Sequence, residues 1–259
     1  METRAESLYD HPKYYELVFG SDWKAEFDFL EACFERFASG QVQRVFEPAC
    51  GTGRLIYRLA GAGYDVRGLD LNPHAVRYCN DRFQRHGLDE PAWVGDMTDF
   101  RLRPKADAGF NMINSFRHLL SEDAARRHLE CMARAVRRGG LYLLGLHLTP
   151  TRGEPMEEES WSARRGNLGV TTSLKTVSRD MKARREVFIM TCHIYTPTTQ
   201  SRIDEEMVFR TYTADQMERL LRRVPGWTVA ATYDFRYDIR RPIEIDAETE
   251  DVVYVLKRC

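Results

Sequence analysis

The stretch Glu47-Pro-Ala-Cys-Gly-Thr-Gly53 decides the fold, because it joins a short apolar segment that begins at Arg44 to a helical pattern over 53–61. Glycines between a strand and a helix let a ligand lie directly against the backbone. The next apolar run, Val66–Leu71, carries Asp70 near its end. A carboxylate there can accept hydrogen bonds from both hydroxyls of a ribose. The two segments together predict a ligand site at the carboxyl edge of a parallel sheet.

Strand and helix patterns alternate on both sides of this stretch. Residues 22–38 form a helix with an apolar stripe, Asn72 and Pro73 begin another, and Ser121 caps one that runs to Arg138. Further strands are predicted at Trp93–Val94, Ala108–Ile113 and Leu141–Leu148. The alternation predicts an α/β fold with helices on both faces of a mostly parallel sheet.

The pattern changes near residue 150. Residues 149–160 have a loop-like composition, and 168–212 are rich in Thr, Val, Ile and aromatic residues. Three antiparallel strands are predicted there, at Leu168–Val177, Val187–Tyr195 and Glu206–Tyr212. The capping box at Thr213–Gln216 then begins a last helix, and strands at Trp227–Tyr233 and Val252–Leu256 follow, the second of them reversed.

Composition narrows the class of partner. The chain has 259 residues, 43% of them hydrophobic, and a formal net charge of −1, so neither nucleic acid nor an acidic membrane is an expected partner. It shows no apolar run long enough to cross a bilayer and no apolar signal core at its start. Its six cysteines form no CxxC pair and no zinc spacing. A cytoplasmic protein with reduced thiols and no metal is predicted.

The glycine turn and its acidic neighbours resemble the motifs of the class I S-adenosylmethionine (SAM)-dependent methyltransferases. EPACGTG (47–53) resembles their first motif in its xCGTG variant, and LDLNP (69–73) resembles the second. GDM (95–97) resembles the third, and NMINSFRHL (111–119) occupies the position of the fourth. The resemblance covers about residues 40–150 and, in element order, the last helix and two strands. It implies a Rossmann-like fold whose seven-stranded sheet has an antiparallel last strand, plus a small antiparallel β insertion.

Nicotinamide-dinucleotide-binding proteins are the alternative for such a glycine turn. Their fingerprint has a third glycine three residues after the second, where this chain has Ile56. Glu47 before the turn and Asp96 after the third strand also favour SAM. The resemblance then implies one methyltransferase domain over 1–259. Its parts are an N-terminal helical cap (1–40), a SAM-binding core (41–150), a lid over the acceptor site (151–212) and the elements that complete the core (213–259).

The resemblance also implies which residues hold SAM and its product, S-adenosylhomocysteine. Asp70 would bind the ribose, Asp96 the adenine amino group, and Met97 would pack on the adenine ring. The implied cofactor-binding set is Glu47, Ala49, Gly51, Thr52, Gly53, Asp70, Leu71, Asp96, Met97, Asn114 and Tyr15. Structural roles remain open: the glycines as a tight turn, Asp70 as a helix cap, Asp96 as a loop carboxylate.

The residues that act on the acceptor are less constrained. Transfer from a sulfonium is an in-line displacement, so the protein mainly aligns the acceptor and excludes water. A base is needed only where the acceptor is protonated at neutral pH. His118 and His147 are the candidate bases; His118 could instead cap a helix. Tyr9, Tyr14 and Tyr15 either cover the sulfonium with aromatic faces or pack on the domain surface.

The insertion resembles the lids of small-molecule methyltransferases, including sugar N-methyltransferases and glycine or sarcosine methyltransferases. RTYTADQMERLL (210–221) resembles the passage into the last helix of that group. Strand alternation over Val187–Tyr195 gives two faces, either of which could line the acceptor pocket. The candidate acceptor contacts are His193, Tyr195, Arg210 and Arg117.

These features predict a SAM-dependent methyltransferase (EC 2.1.1.-) that methylates nitrogen or oxygen of a small molecule, as a monomer or homodimer. The alternatives are a protein or nucleic-acid methyltransferase and a non-catalytic SAM-binding protein. Against methylation of nucleobases, the fourth motif contains NSFR in place of [DN]PP[YFW]. A basic bias and an added RNA-binding domain are both missing from the sequence, which disfavours RNA.

Overall fold

The computed structural model describes residues 2–4, 7–20 and 23–259. The α-helices are α1 (Pro12–Phe19), α2 (Trp23–Phe37), α3 (Arg54–Gly61), α4 (Pro73–Gln84), α5 (Glu122–Ala135) and α6 (Ala214–Arg222). Two 3-10 helices cover Leu8–Asp10 and Ser115–His118. The strands are β1 (Glu2–Arg4), β2 (Arg44–Pro48), β3 (Asp65–Asp70), β4 (Ala92–Val94), β5 (Ala106–Asn111), β6 (Val136–His147), β7 (Glu158–Arg165), β8 (Leu168–Asp180), β9 (Arg185–Tyr195), β10 (Gln200–Arg210), β11 (Trp227–Tyr233) and β12 (Asp251–Arg258).

Seven strands form the main sheet, in the order β11-β12-β6-β5-β2-β3-β4. The five strands from β6 to β4 pair in parallel, and β12 runs antiparallel to both β6 and β11. Alternate residues of each strand serve opposite faces, so that Phe46 and Tyr142 join one apolar cluster while Val45 and Leu141 join the other. The predicted fold class is confirmed.

Two boundaries differ from the prediction. Helix α5 ends at Ala135 rather than Arg138, because Val136 is already extended and Arg137 turns to Asp107, where Nε donates to the carboxylate at 2.6 Å. The stretch 149–160 is not loop throughout, because β7 begins at Glu158. That strand has no fully buried residue, and its alternation is limited to Trp161 and Ala163 among Glu, Ser and Arg, which is too short to predict a strand.

Five strands form the second sheet, in the order β1-β10-β9-β8-β7. Three were predicted; β7 and the parallel edge strand β1 were not, and β10 begins at Gln200 rather than Glu206. The even-numbered side chains of β9, from Phe188 to Ile194, form the buried face of this sheet. They pack against Leu8, Leu17 and Val18, so the N-terminal segment 7–20 lies beneath the second sheet.

The N-terminal segment is bonded to both sheets. On the side of the second sheet, the Ser7 hydroxyl and the Leu8 amide donate to Glu205 at 2.7 and 2.9 Å. On the side of the main sheet, the side-chain amide of Asn72 (Nδ2) donates to the Tyr9 carbonyl at 3.1 Å. None of the helices over residues 7–20 and 23–259 is long and apolar enough to span a membrane.

Candidate active site

A cavity of about 810 Å³ opens at the carboxyl ends of β2, β3 and β4, between the main sheet and the N-terminal segment. This is the edge at which open α/β sheets bind ligands. Nine residues that the sequence analysis selected line it: Tyr15, Ala49, Gly51, Thr52, Asp70, Leu71, Asp96, Met97 and His118. The predicted glycine turn, ribose carboxylate and third motif therefore do converge on one space.

The glycine turn is held open toward the cavity by Asp70. Ala49 and Gly51 have φ of 56° and 53°, in the left-handed region. The backbone amide of Gly51 donates to Asp70 Oδ2 at 2.7 Å, and the backbone amide of Asn72 donates to Oδ1 at 2.8 Å. Both carboxylate oxygens are thereby held at the mouth of the cavity, which Asp70 lines. Burial raises the pKa of Asp70 above its ordinary value, against the lowering effect of these amides.

Gly53 serves packing rather than the cavity. It has a φ of 71°, and a Cβ at this position would lie 2.3 Å from the Cys79 Sγ on α4. Gly53→Ala is therefore expected to destabilise the protein by about 2 kcal/mol or more, from the left-handed backbone and the overlap together. Gly61→Ala is the matched control, because Gly61 ends the helix that follows Gly53 and a Cβ there would have no neighbouring atom within 4 Å. Equal urea midpoints for the two variants would contradict this reading.

His128 holds the backbone of the third motif in place by a hydrogen bond. Its Nδ1 donates to the Met97 carbonyl at 2.9 Å, so in the neutral ring Nε2 accepts from the Tyr142 hydroxyl at 2.7 Å. The residue is fully buried, and this burial lowers the pKa of His128 to about 4. The ring thus fixes the backbone of the residue expected to pack on adenine.

A pH dependence of stability follows from His128. Between pH 6.5 and 4 the unfolded chain binds a proton at this histidine and the folded chain does not, so stability is lost as pH falls through this range. The loss is expected to be about 3 kcal/mol by pH 4. Urea unfolding at pH 7 and pH 4 should show a smaller loss for His128→Asn than for wild type. The exposed His74→Asn is the control, and an unchanged loss in His128→Asn would contradict the assignment.

Helix α1 forms the opposite wall. A Cβ on Gly51 would stand 3.6 Å from the Tyr15 ring, so the bare glycine sets the width of the gap between turn and aromatic face. Next to Tyr15, the buried Glu16 accepts from the Thr52 hydroxyl at 2.7 Å and forms an ion pair with Arg82 on α4. The helix is thereby attached to the turn that it faces.

Tyr9 and His118 meet across the cavity. The Tyr9 hydroxyl and His118 Nε2 share a hydrogen bond of 3.2 Å. Partial burial, with the adjacent Arg117, lowers the pKa of His118, and burial raises the pKa of Tyr9. At neutral pH the pair is therefore a phenol and an uncharged imidazole, both facing the space above Gly51 and Asp70.

Three residues predicted at the site lie behind or beside the cavity. Glu47 is buried behind the turn; burial raises its pKa, and Oε2 has no partner among the described residues. Asn114 accepts from the His147 amide at 2.8 Å and so ties the ends of β5 and β6. His147 pairs with Asp251 at 2.7 Å and lines a separate cavity of about 40 Å³. Neither His147 nor Asn114 lines the large cavity; both line the small one.

The four predicted acceptor contacts also lie elsewhere. His193 and Tyr195 project from the outer face of β9, because odd-numbered positions there point away from the N-terminal segment. Arg117 is buried, in an ion pair with Glu186, and donates to the Arg210 carbonyl at 3.0 Å. Arg210 donates to the Leu120 carbonyl at 3.2 Å. These two arginines join the second sheet to the main one.

Other residues line the remaining part of the cavity. Arg127 of α5 and Arg185 of β9 line it together with Ser115 and Tyr9. No motif marks Arg127 or Arg185: one is a charged residue on an exposed helix face, the other begins a strand. Only the structure brings them together, although the aromatic N-terminus did indicate Tyr9.

The cavity fits SAM in two respects. Its volume of about 810 Å³ lies within the roughly 300–1,000 Å³ of sites that enclose a ligand of this size. Asp70 presents a carboxylate to the cavity at the end of β3, where the hydroxyls of a ribose can donate to it.

Comparisons with known proteins agree with the fold. Residues 45–140 match the model of the methyltransferase domain family. A dTDP-3-amino-3,4,6-trideoxy-alpha-D-glucopyranose N,N-dimethyltransferase from Streptomyces venezuelae is 26% identical over 52% of this chain and 56% of its own length. The chain spans about half the length of the curated relatives that it matches.

Two solved structures share the architecture. A SAM-dependent methyltransferase from Clostridium acetobutylicum has a TM-score of 0.77 at 17% identity, covering 97% of this chain and 99% of that one. An amino pentose methyltransferase from Micromonospora echinaspora, solved with SAM bound, has a TM-score of 0.71 at 16% identity and covers both chains fully. Strand order and site define the methyltransferase fold. The chain therefore has the methyltransferase fold, and its residues 45–140, which carry the motifs, match the methyltransferase domain family.

Proposed function

We propose that this protein transfers the methyl group of SAM to a nitrogen or oxygen atom of a small-molecule acceptor. The observation that carries the proposal is the single cavity that holds Asp70 and Asp96 on one side and the Tyr9–His118 pair on the other. A donor bound through the acidic residues would direct its reactive end toward that pair. The names of two relatives, an amino-sugar N,N-dimethyltransferase and an amino pentose methyltransferase, support a small acceptor.

When bound, SAM supplies an activated methyl group on a cationic sulfur. The residues of this chain position the donor and the acceptor and enclose them away from water. Tyr15 and Gly51 both line the cavity, and the attachment of Glu16 to Thr52 and Arg82 holds α1 against the turn, which excludes water on that side. Asp70 orients the ribose, which sets the direction of in-line attack.

His118 is the proposed base. A new bond from acceptor nitrogen or oxygen to the methyl carbon, with loss of the carbon–sulfur bond, leaves one proton to be removed from the acceptor. Nδ1 of the uncharged imidazole takes that proton while Nε2 donates to the Tyr9 hydroxyl, and the lowered pKa of His118 keeps the ring uncharged at neutral pH. Tyr9, bonded to Nε2, orients the ring.

Arg185 and Arg127 are the proposed acceptor contacts, in place of His193, Tyr195 and Arg210. Arg185 has one hydrogen bond to the described residues, to the Arg184 carbonyl at 3.3 Å, so its charge remains available. A guanidinium matches a carboxylate or phosphate in geometry and charge. An anionic group on the acceptor, such as the diphosphate of a nucleotide sugar, therefore suits this side of the cavity.

The test is to titrate SAM, S-adenosylhomocysteine and NAD(H) calorimetrically and then to assay methyl transfer to nucleotide amino sugars, free amines, peptides and RNA. Binding of SAM with turnover of a small acceptor is expected. His118→Ala should lower kcat, while the exposed His74→Ala should not. Transfer to peptide or RNA alone would favour the macromolecular alternative. Tight SAM binding without transfer would favour a non-catalytic protein, and NAD(H) binding without SAM binding would overturn the proposal.

A further inference from the structure

Besides the large cavity and the small one beside His147, a further cavity of about 190 Å³ lies at the opposite edge of the main sheet. It is called the second cavity below. It sits at the amino ends of β2, β3 and β5, where Arg44 and Asp65 begin their strands. Asp65 and Asp70 are the first and last residues of β3, so the two cavities lie roughly 17 Å apart along that strand. They share no lining residue.

The second cavity exists because one crossover contains no helix. Residues 95–105, between β4 and β5, form a loop, so the sheet face beneath them is only partly covered. Register places Arg44 beside Asp65 and Leu69 beside Trp93, so that Asp65, Arg67 and Trp93 share this face. On a covered sheet such positions are apolar, whereas here Arg67 is exposed.

Positive charge is concentrated around this cavity. Arg44, Arg67, Arg101 and Arg103 line it with a single carboxylate, Asp65. Within the described parts of the chain, no hydrogen bond or ion pair involves the side chains of Arg67, Arg101 and Arg103. Arg44 reaches Asp107 only at 3.6 Å, because Arg137 already holds that carboxylate oxygen at 2.6 Å. Unneutralised like charges that face one space repel each other, and a bound anion relieves this repulsion.

We propose that this cavity binds the phosphate or diphosphate group of a small phosphorylated molecule. Guanidinium groups bind phosphate oxygens in pairs of parallel hydrogen bonds, and several arginines around one anion match a multiply charged group. The volume is below the roughly 300–1,000 Å³ of sites that enclose a drug-sized ligand, so it suits the anionic group rather than a whole cofactor. The half-buried Trp93, stacked on Phe46 with ring centroids 5.8 Å apart, gives the site a rigid wall.

The test is calorimetric titration of the full chain with inorganic pyrophosphate at 0.15 M NaCl, where loose surface attraction is screened. Saturable binding with a Kd below about 1 mM is expected. Arg67→Gln should weaken it about tenfold or more, since it removes charge-assisted hydrogen bonds. Arg219→Gln, which removes the same charge from an exposed position on α6, should leave it unchanged.

Each outcome bears on the proposal. Loss of binding in Arg185→Gln but not in Arg67→Gln would place the anion in the large cavity and overturn the proposal. Absence of saturation, or equal weakening by Arg67→Gln and Arg219→Gln, would also overturn it. A parallel titration with ADP, with the large cavity saturated by S-adenosylhomocysteine, distinguishes the sources. Tighter binding than pyrophosphate identifies an organic phosphate as the ligand, and equal or weaker binding identifies the free anion.

Discussion

Asp70→Ala is expected to bind SAM and S-adenosylhomocysteine at least about 100-fold more weakly than wild type. A carboxylate that accepts two ribose hydroxyls forms two charge-assisted hydrogen bonds, each worth roughly 1.5–3 kcal/mol, and the variant loses both. It also frees the Gly51 and Asn72 amides that Asp70 now holds, so the turn loses its shape as well as its ligand contact. The measurement is isothermal titration with both ligands.

The control for this prediction lies on the same strand. Asp65→Ala removes an exposed carboxylate from the other end of β3 and should leave SAM affinity unchanged. Asp70→Asn separates the two causes, because it keeps the size of the side chain but removes the charge. Wild-type affinity in Asp70→Ala would move the ribose site elsewhere and remove the main support for the SAM cavity.

Glu186→Ala is expected to destabilise the protein by about 3–5 kcal/mol, the cost of leaving a buried charge without its partner. Glu186 is 3% exposed and forms ion pairs with Arg117 and Arg179. Its removal leaves the guanidinium of Arg117 buried between the two sheets. Urea unfolding measures the loss, and Glu206→Ala, an exposed carboxylate on the neighbouring β10, should change stability little.

This second experiment also decides what Arg117 does. If the Arg117–Glu186 pair only joins the sheets, Glu186→Ala loses stability, and any loss of SAM affinity should follow the loss of folded protein. Unchanged stability together with a raised KM for the acceptor would return Arg117 to the role of acceptor contact that the sequence suggested.

The centre of the main sheet was predictable because β2, β5 and β6 are buried along most of their length and the neighbouring helices are bounded by caps and glycines. Asn72 does cap α4, and Thr213 with Gln216 does form a capping box. The missed strand β7 and the shortened α5 have a common cause. Both segments are rich in charged residues, and their structure is set by partners distant in sequence: β8 for the strand and Asp107 for Arg137. Local pattern carries no information about such partners.

The site divides in the same way. Asp70, Asp96 and the glycine turn lie within short motifs whose spacing reflects direct contact with one ligand, so the sequence indicated them. The rest of the cavity is assembled from the two 3-10 helices, α5 and β9, which meet only through tertiary packing. Alternation could show that β9 has two faces but not that segment 7–20 covers the inner one, so the sequence did not show that His193 and Tyr195 lie on the outer face.

The attachment of α1 also bears on how molecules enter and leave. Glu16 is 4% exposed and holds both Thr52 and Arg82, so α1 cannot move away from the turn without separating this buried ion pair. An opening that costs about 3 kcal/mol leaves fewer than roughly one molecule in a hundred open at equilibrium. Any exchange of spent donor for fresh donor that requires α1 to move would therefore wait on this rare fluctuation.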